Sequence, residues 1–303
     1  MRVPLARATA AAALLLAALG WSGAAVAQGI ALPGLSRPGA GAASSASVPW
    51  AHSPWVKSHN ASARLIAGAA PAAAGRRVLA GLEIRLADGW KTYWRHPGDD
   101  GGLPPTFDWT SSRNLKGARV LFPVPERIKS LNGTTLGYGK AVILPIEVEP
   151  ADPAEPVSLK LALEYGICRE ICVPAEAQFE LIIPATLAAM PPDLAASLAL
   201  VPRLVEGAAV AAVVKSAKAV LAGPAPALTF DIAATSGATD LFVEAPGGIW
   251  LPVPSRVGEP SKGVQRFRID LKGVEEAGKL AGQQLRLTVA APDGGVELAW
   301  TVR

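Results

Sequence analysis

The chain has 303 residues, half of them hydrophobic, with 30 glycines, 27 prolines and a formal net charge of +4. Its basic residues are scattered, and loss of Arg2 and Arg7 with a leader would lower that charge by two. A balance so close to neutral argues against nucleic acid or an anionic membrane surface as partner, and the Gly- and Pro-rich apolar composition suits an all-β chain with many turns.

Residues 1–27 read as a secretory signal: Arg2 and Arg7, a short apolar run from Ala8 to Leu19, then Ala25-Val26-Ala27 before Gln28. The apolar run is too short for a stable span, and no later stretch offers eighteen uninterrupted apolar residues. The expected mature chain therefore begins near Gln28, lacks a membrane span and resides in the periplasm, where disulfides form and persist. Residues 28–54 are Gly, Ala, Ser and Pro with almost no charge, a flexible linker. Trp50 and Trp55 close it. The sequon at Asn60 carries no weight in a sequence with a bacterial-looking signal.

From about residue 55 the pattern turns to strands. Val78, Ala80, Leu82, Ile84 and Leu86 share one face, with Arg77, Glu83 and Arg85 on the other, the period of a half-buried strand. Residues 120–122, 141–149, 157–164 and 177–183 predict further strands. Their Pro and Gly turns suggest a β-sandwich over residues 55–185.

Residues 90–105 form an aromatic stretch holding Trp90, Tyr93, Trp94, His96, Asp99 and Asp100. It reads as a long loop lying over a reactive centre, with the alternative that its tryptophans are core and its aspartates cap a turn. The reactive centre itself is Tyr165-Gly166-Ile167-Cys168-Arg169-Glu170-Ile171-Cys172-Val173-Pro174, which holds the only two cysteines. Cysteines this close are a redox pair, a local staple or part of a metal site. As a staple, a ring of about five residues adds only about 2 kcal/mol, against nearly 5 for a hundred-residue loop. Two thiolates alone do not complete a tetrahedral metal site, although they are soft ligands suited to Cu(I) that His96 could join. Arg169 favours a thiolate and Glu170 opposes one.

Residues 186–215 read as a helical linker, with Asp193 capping a helix through Leu194, Leu198 and Leu200 that Pro202 ends. Residues 216–303 predict a smaller β-domain with strands at 228–233, 241–245, 264–271, 284–290 and 296–302. Asp293-Gly294-Gly295 forms a hairpin turn there, and Trp250 and Trp300 are candidate core. No phosphate loop, zinc-protease helix or nucleophile elbow occurs, and neither His52 nor His59 has a supporting motif. No cofactor is expected. A non-catalytic module binding another exported protein remains the alternative class.

Three motifs carry a resemblance. They are Gly89-Trp90-Lys91-Thr92-Tyr93-Trp94 with Pro97-Gly98; Leu136-Gly137-Tyr138 before Val142-Ile143-Leu144-Pro145; and Tyr165-Gly166-Ile167-Cys168 to Cys172-Val173-Pro174. Over roughly residues 50–185 the chain resembles the N-terminal periplasmic domain of DsbD-type disulfide reductases, in the branch associated with copper sensitivity. The resemblance implies an immunoglobulin-like sandwich whose Cys168 and Cys172 exchange electrons, framed by Tyr165 and Pro174 with Trp94, His96, Asp99 and Tyr138 nearby. It implies as partners a thioredoxin-like or membrane-embedded reductase as donor and exported thiol or disulfide proteins as acceptors. The best-known members have five residues between the cysteines where this chain has three. Their acidic-aromatic cap segment corresponds here to residues 125–130, which are basic and lack an aromatic.

Overall fold

A computed structural model describes residues 50–69, 78–130, 133–234, 239–291 and 295–303. The signal, most of the linker, Arg77 and the tip of the 293–295 turn fall outside the described residues. The described chain is all-β, two sandwiches in series. Strands β1 (Ala51–His52), β2 (Val56–Ser58), β3 (Ala61–Gly68), β4 (Val78–Leu86), β5 (Lys91–Gly98), β6 (Thr106–Asp108), β7 (Leu115–Val120), β8 (Glu126–Lys129), β9 (Thr134–Gly139), β10 (Ala141–Pro150), β11 (Val157–Cys168) and β12 (Cys172–Ile183) build the first. One sheet runs β1-β3-β4-β10-β7 with β2 also on β3; the other runs β12-β11-β5-β9-β8 with β6 also on β11.

The core between them follows from alternation. Leu159, Leu161, Leu163, Tyr165 and Ile167 of β11 face Leu65, Leu82, Ile84, Leu144 and Ile146 of the first sheet, all buried. Two predicted boundaries move. The strand expected at 120–122 ends at Val120, having begun at Leu115. β11 and β12 run on to the cysteines instead of stopping at 164 and resuming at 177, pairing in unbroken register from Val157↔Ile183 to Cys168↔Cys172. The cysteine loop is thus only Arg169, Glu170 and Ile171.

Helix α1 (Pro192–Ala199) follows the first sandwich. Asp193 lies in its first turn rather than capping it. Pro191 stands at the cap without a side-chain bond, and Pro192 is at a position where its missing N–H costs nothing. Leu194 is fully buried against Ile66 and Leu79. The helix comes that close because β3 and β4 present glycines: a Cβ on Gly68 would stand 2.4 Å from Pro191 Cδ, and one on Gly81 2.8 Å from Leu194 Cδ1. A short helix α2 (Val210–Val213) lies inside the second sandwich, after its first strand, so that sandwich begins within the stretch expected as a helical linker.

That sandwich comprises β13 (Arg203–Leu204), β14 (Val214–Val220), β15 (Ala227–Ala233), β16 (Asp240–Glu244), β17 (Ser255–Ser261), β18 (Val264–Asp270), β19 (Gln284–Ala290) and β20 (Val296–Thr301). Its sheets run β13-β20-β19-β16 and β14-β15-β18-β17. Phe230, Phe267, Leu285 and Leu287 fill its core, and Trp300 meets Phe230 edge-on at 5.2 Å. Trp250 is not core. It is 46% exposed and donates its indole N–H to the Gly98 carbonyl of the first sandwich.

Polar contacts join the two sandwiches. The Arg95 guanidinium of β5 donates to both Glu244 carboxylate oxygens, at 2.7 to 3.1 Å, and to Glu297. It also lies over the Trp94 ring, 4.4 Å from its centroid. Phe242 of the second sandwich packs on Trp94 at 5.7 Å and belongs to the first core. Removing one partner of such a largely buried charge cluster strands the others. Arg95→Met is expected to lower unfolding free energy by about 2–3 kcal/mol, measured by urea denaturation. An unchanged midpoint would show the cluster contributes nothing.

Candidate functional site

The disulfide lies at the tip of the β11–β12 hairpin, joining Cys168 to Cys172 with their Cα atoms 4.2 Å apart. The two sulfurs are not equivalent. Cys168 is 1% exposed, whereas Cys172 is exposed, as are Arg169, Glu170 and Ile171. Ile171, 78% exposed, stands out from the tip.

Strand β5 supplies the group closest to the sulfurs. Cys168 pairs with Lys91 and Ile167 with Thr92, so alternation sends Lys91 and Tyr93 to the face that bears Cys168, and Thr92 and Trp94 to the core. The Tyr93 hydroxyl sits 2.7 Å from Cys172 Sγ and 2.9 Å from Cys168 Sγ. Disulfide sulfurs carry no proton, so the phenol is the donor. Burial, and then the nearby Asp100 carboxylate, push the Tyr93 pKa up, so the O–H stays protonated at neutral pH.

The ring reaches this position through a slot that only glycines leave open. A Cβ on Gly102 would stand 2.2 Å from the Tyr93 ring, and one on Gly166 2.8 Å from it. Gly166 is fixed in turn, its N–H donating to the Leu103 carbonyl and its carbonyl accepting from the Thr92 hydroxyl, both at 2.9 Å. Pro174, opposite Gly166 on the edge strand β12, sits where a missing N–H is tolerated.

Beside the disulfide lies a cleft of about 540 Å³, lined among others by Trp90, Lys91, Asp100, Glu126, Lys129 and Arg169. Lys91 is 7% exposed and donates to Thr135 Oγ1 at 2.8 Å. Burial lowers its pKa, with Asp100, 3.9 Å away, opposing. The first part of the stretch expected to be a loop is thus a central strand, and its remainder, through Asp100 and Gly102, flanks the sulfurs.

The other candidates divide. Pro174 borders the hairpin tip. Trp94, Tyr138 and Tyr165 lie in the core, on the face of the sheet away from Cys168, and Tyr138 donates to the Pro123 carbonyl. The physical reason is parity, since Cys168 lies three positions after Tyr165 and an odd step along a strand changes face. His96 and Asp99 turn toward the second sandwich. Asp99 accepts from the Val253 N–H at 2.7 Å, and His96 accepts from the Gly98 N–H. His96 therefore does not join the sulfurs, and among the described residues no cluster of three or more His, Cys, Asp or Glu is placed to hold a metal ion. The 90–105 stretch was expected to lie over the sulfurs, but Tyr93, Lys91 and Asp100 were not singled out within it as their neighbours. The signal that could have found Tyr93 was the pair of glycines, Gly102 and Gly166, that its ring requires.

Residues 63–184 match the family described as Thiol:disulfide interchange protein DsbD, N-terminal. That part of the chain is a DsbD-type N-terminal domain, a thiol–disulfide interchange module. The fold is that of the N-terminal periplasmic domain of ScsB from Proteus mirabilis, at TM-score 0.63 and 21% identity, covering 84% of this chain and 98% of that one. The likeness in fold therefore extends beyond the first sandwich. The N-terminal domain of Neisseria meningitidis DsbD in its reduced form also matches, at TM-score 0.23 and 15% identity, over 45% of this chain and 86% of that one. No curated protein sequence matches.

Burial depresses the His96 pKa below its ordinary 6.5, outweighing the neighbouring Glu244 and Asp99 carboxylates, while Arg95 adds to the depression. The unfolded chain then binds the proton first as pH falls. Stability held above pH 6.5 is expected to decline below it, with a slope of at most one proton. In His96→Gln that part of the slope should vanish from denaturation midpoints measured between pH 7.5 and 5; an identical profile would exclude the ring as its source.

Proposed function

We propose that Cys168 and Cys172 are the redox-active pair of a periplasmic module that passes reducing equivalents from a thioredoxin-like or membrane-embedded reductase to exported acceptor proteins. The observation that carries this reading is the asymmetry of the pair: an exposed sulfur bonded to a buried one, with a phenol O–H touching both. The family of residues 63–184 supports it. The periplasmic location rests on the signal-like residues 1–27 and on the described location of the ScsB domain.

The chemistry follows from access. A donor thiolate attacks Cys172 Sγ, the Cys172–Cys168 bond breaks, and Cys168 leaves as a thiolate. Tyr93 donates its hydrogen bond to that leaving sulfur. The donor's second thiolate then attacks the donor sulfur of the mixed disulfide, releasing Cys172 reduced and the donor oxidised. In the second half, the Cys172 thiolate attacks an acceptor disulfide. Cys168 then attacks Cys172 Sγ, which restores the internal bond and releases the acceptor as a dithiol. Tyr138 and Tyr165, buried behind the sheet with raised pKa values, take no part.

The test is electron transfer from a reduced thioredoxin-like protein to the purified oxidised chain. With an oxidised acceptor supplying the disulfide, the Cys172 thiolate of Cys168→Ser should attack it and accumulate a mixed disulfide that no Cys168 thiol resolves, and Cys172→Ser should form none. No transfer, together with a large fall in melting temperature on reduction, would instead mark the disulfide as a staple. Tyr93→Phe removes the donor to the leaving thiolate, worth about 1.5–3 kcal/mol for a charged acceptor. Exchange is expected to slow about tenfold or more, with the Cys168 thiol pKa raised. Wild-type exchange in this variant would remove the phenol from the mechanism.

A further inference from the structure

Strand β8 walls the disulfide cleft, yet its own sheet holds it weakly. It is four residues long, stands at the end of its sheet and among the described residues pairs only with β9, from Glu126↔Gly137 to Lys129↔Thr134. Glu126, Ile128 and Lys129 line the cleft beside Cys168 and Cys172. The fourth side chain, Arg127, does not line it. Arg127 crosses to the second sandwich, where Nε and Nη2 donate to the two Asp240 carboxylate oxygens at 2.6 and 2.8 Å. Nη2 also donates to the carbonyls of Leu241 and Pro254 at 3.1 and 2.9 Å. The guanidinium lies 5.3 Å from the Phe242 ring centroid, and Phe242 is itself anchored on Trp94. A planar fork with two charge-assisted bonds and two carbonyl bonds is a strong and directional tether.

We propose that the second sandwich works as the holder of the cleft wall, with Arg127 and Asp240 as positioning residues that keep β8 closed beside the buried Cys168. The inference rests on the exchange reading given above. An edge strand with one neighbour opens locally at low cost, and loss of the tether releases the wall without unfolding either core. Lys91, Asp100, Lys140, Arg169 and Glu170 share the cleft with β8, so its opening also changes the charges facing the sulfurs.

The experiment needs no redox partner, which separates this inference from the exchange reading. In the full chain carrying Cys172→Ser, the Cys168 thiol is alkylated with iodoacetamide, and deuterium uptake is followed at residues 126–130. Arg127→Ala and Asp240→Ala should each speed both by about tenfold or more, the factor that corresponds to one lost charge-assisted hydrogen bond. Arg127→Lys, which keeps a cation but not the fork, should fall between. Arg119→Ala removes an exposed arginine paired with Glu147 on the first sheet and should change neither. Alkylation and uptake at the parental rate in both Ala variants would overturn the proposal. So would acceleration that spreads over all of the first sandwich, since that marks general destabilisation. A failed transfer from thioredoxin with these results intact would remove the exchange reading and leave the tether standing.

Discussion

Strand β5 has to serve a core and a reactive surface at once, and the two-residue period of extended chain makes that possible. Thr92 and Trp94 point inward, while Lys91 and Tyr93 point to the sulfurs. Because β5 lies between β11 and β9, its backbone is held on both edges, and the phenol inherits that rigidity. A loop could not place one oxygen within 3 Å of both sulfurs without paying ordering entropy. The glycines at 102 and 166 complete the arrangement by leaving room for the ring.

Arg95, on the same strand, binds the first sandwich to the second through Glu244 and Glu297 and sits on the Trp94 ring. One strand of eight residues thus meets the disulfide, the core and the second sandwich. A change at any of the three is felt by the same backbone.

The sequence reveals strands whose apolar residues alternate with charged ones. Val78–Leu86 is legible because Glu83 and Arg85 interrupt its apolar residues, although both of its faces are largely buried, Leu79 and Gly81 lying under α1. β5 escapes detection because Lys91, Thr92, Arg95 and His96 break any apolar pattern, although most of the strand is buried. Gly166 and Pro174 fall between the strands expected at 157–164 and 177–183, yet both belong to the hairpin, which uses one to admit Tyr93 and carries the other on an open edge. The pair itself was legible from count and spacing. Its neighbours were not, because Tyr93 and Cys168 meet only through the register of β5 on β11. The ion pairs between the sandwiches leave no local trace at all. Arg95 meets Glu244 across 149 residues of chain, and Trp250, apolar by type, serves a surface contact.

The hairpin that carries the cysteines is already zipped along its whole length, each residue from Val157 to Cys168 standing opposite a partner from Ile183 to Cys172. The covalent bond at the tip therefore adds little to a geometry the ladder sets. It follows that oxidised and reduced forms present nearly the same outline to anything that binds. A visiting protein gains no information about electron count from the shape of this surface. It must sense it at the phenol and the two sulfurs, and it can leave once those few atoms have changed.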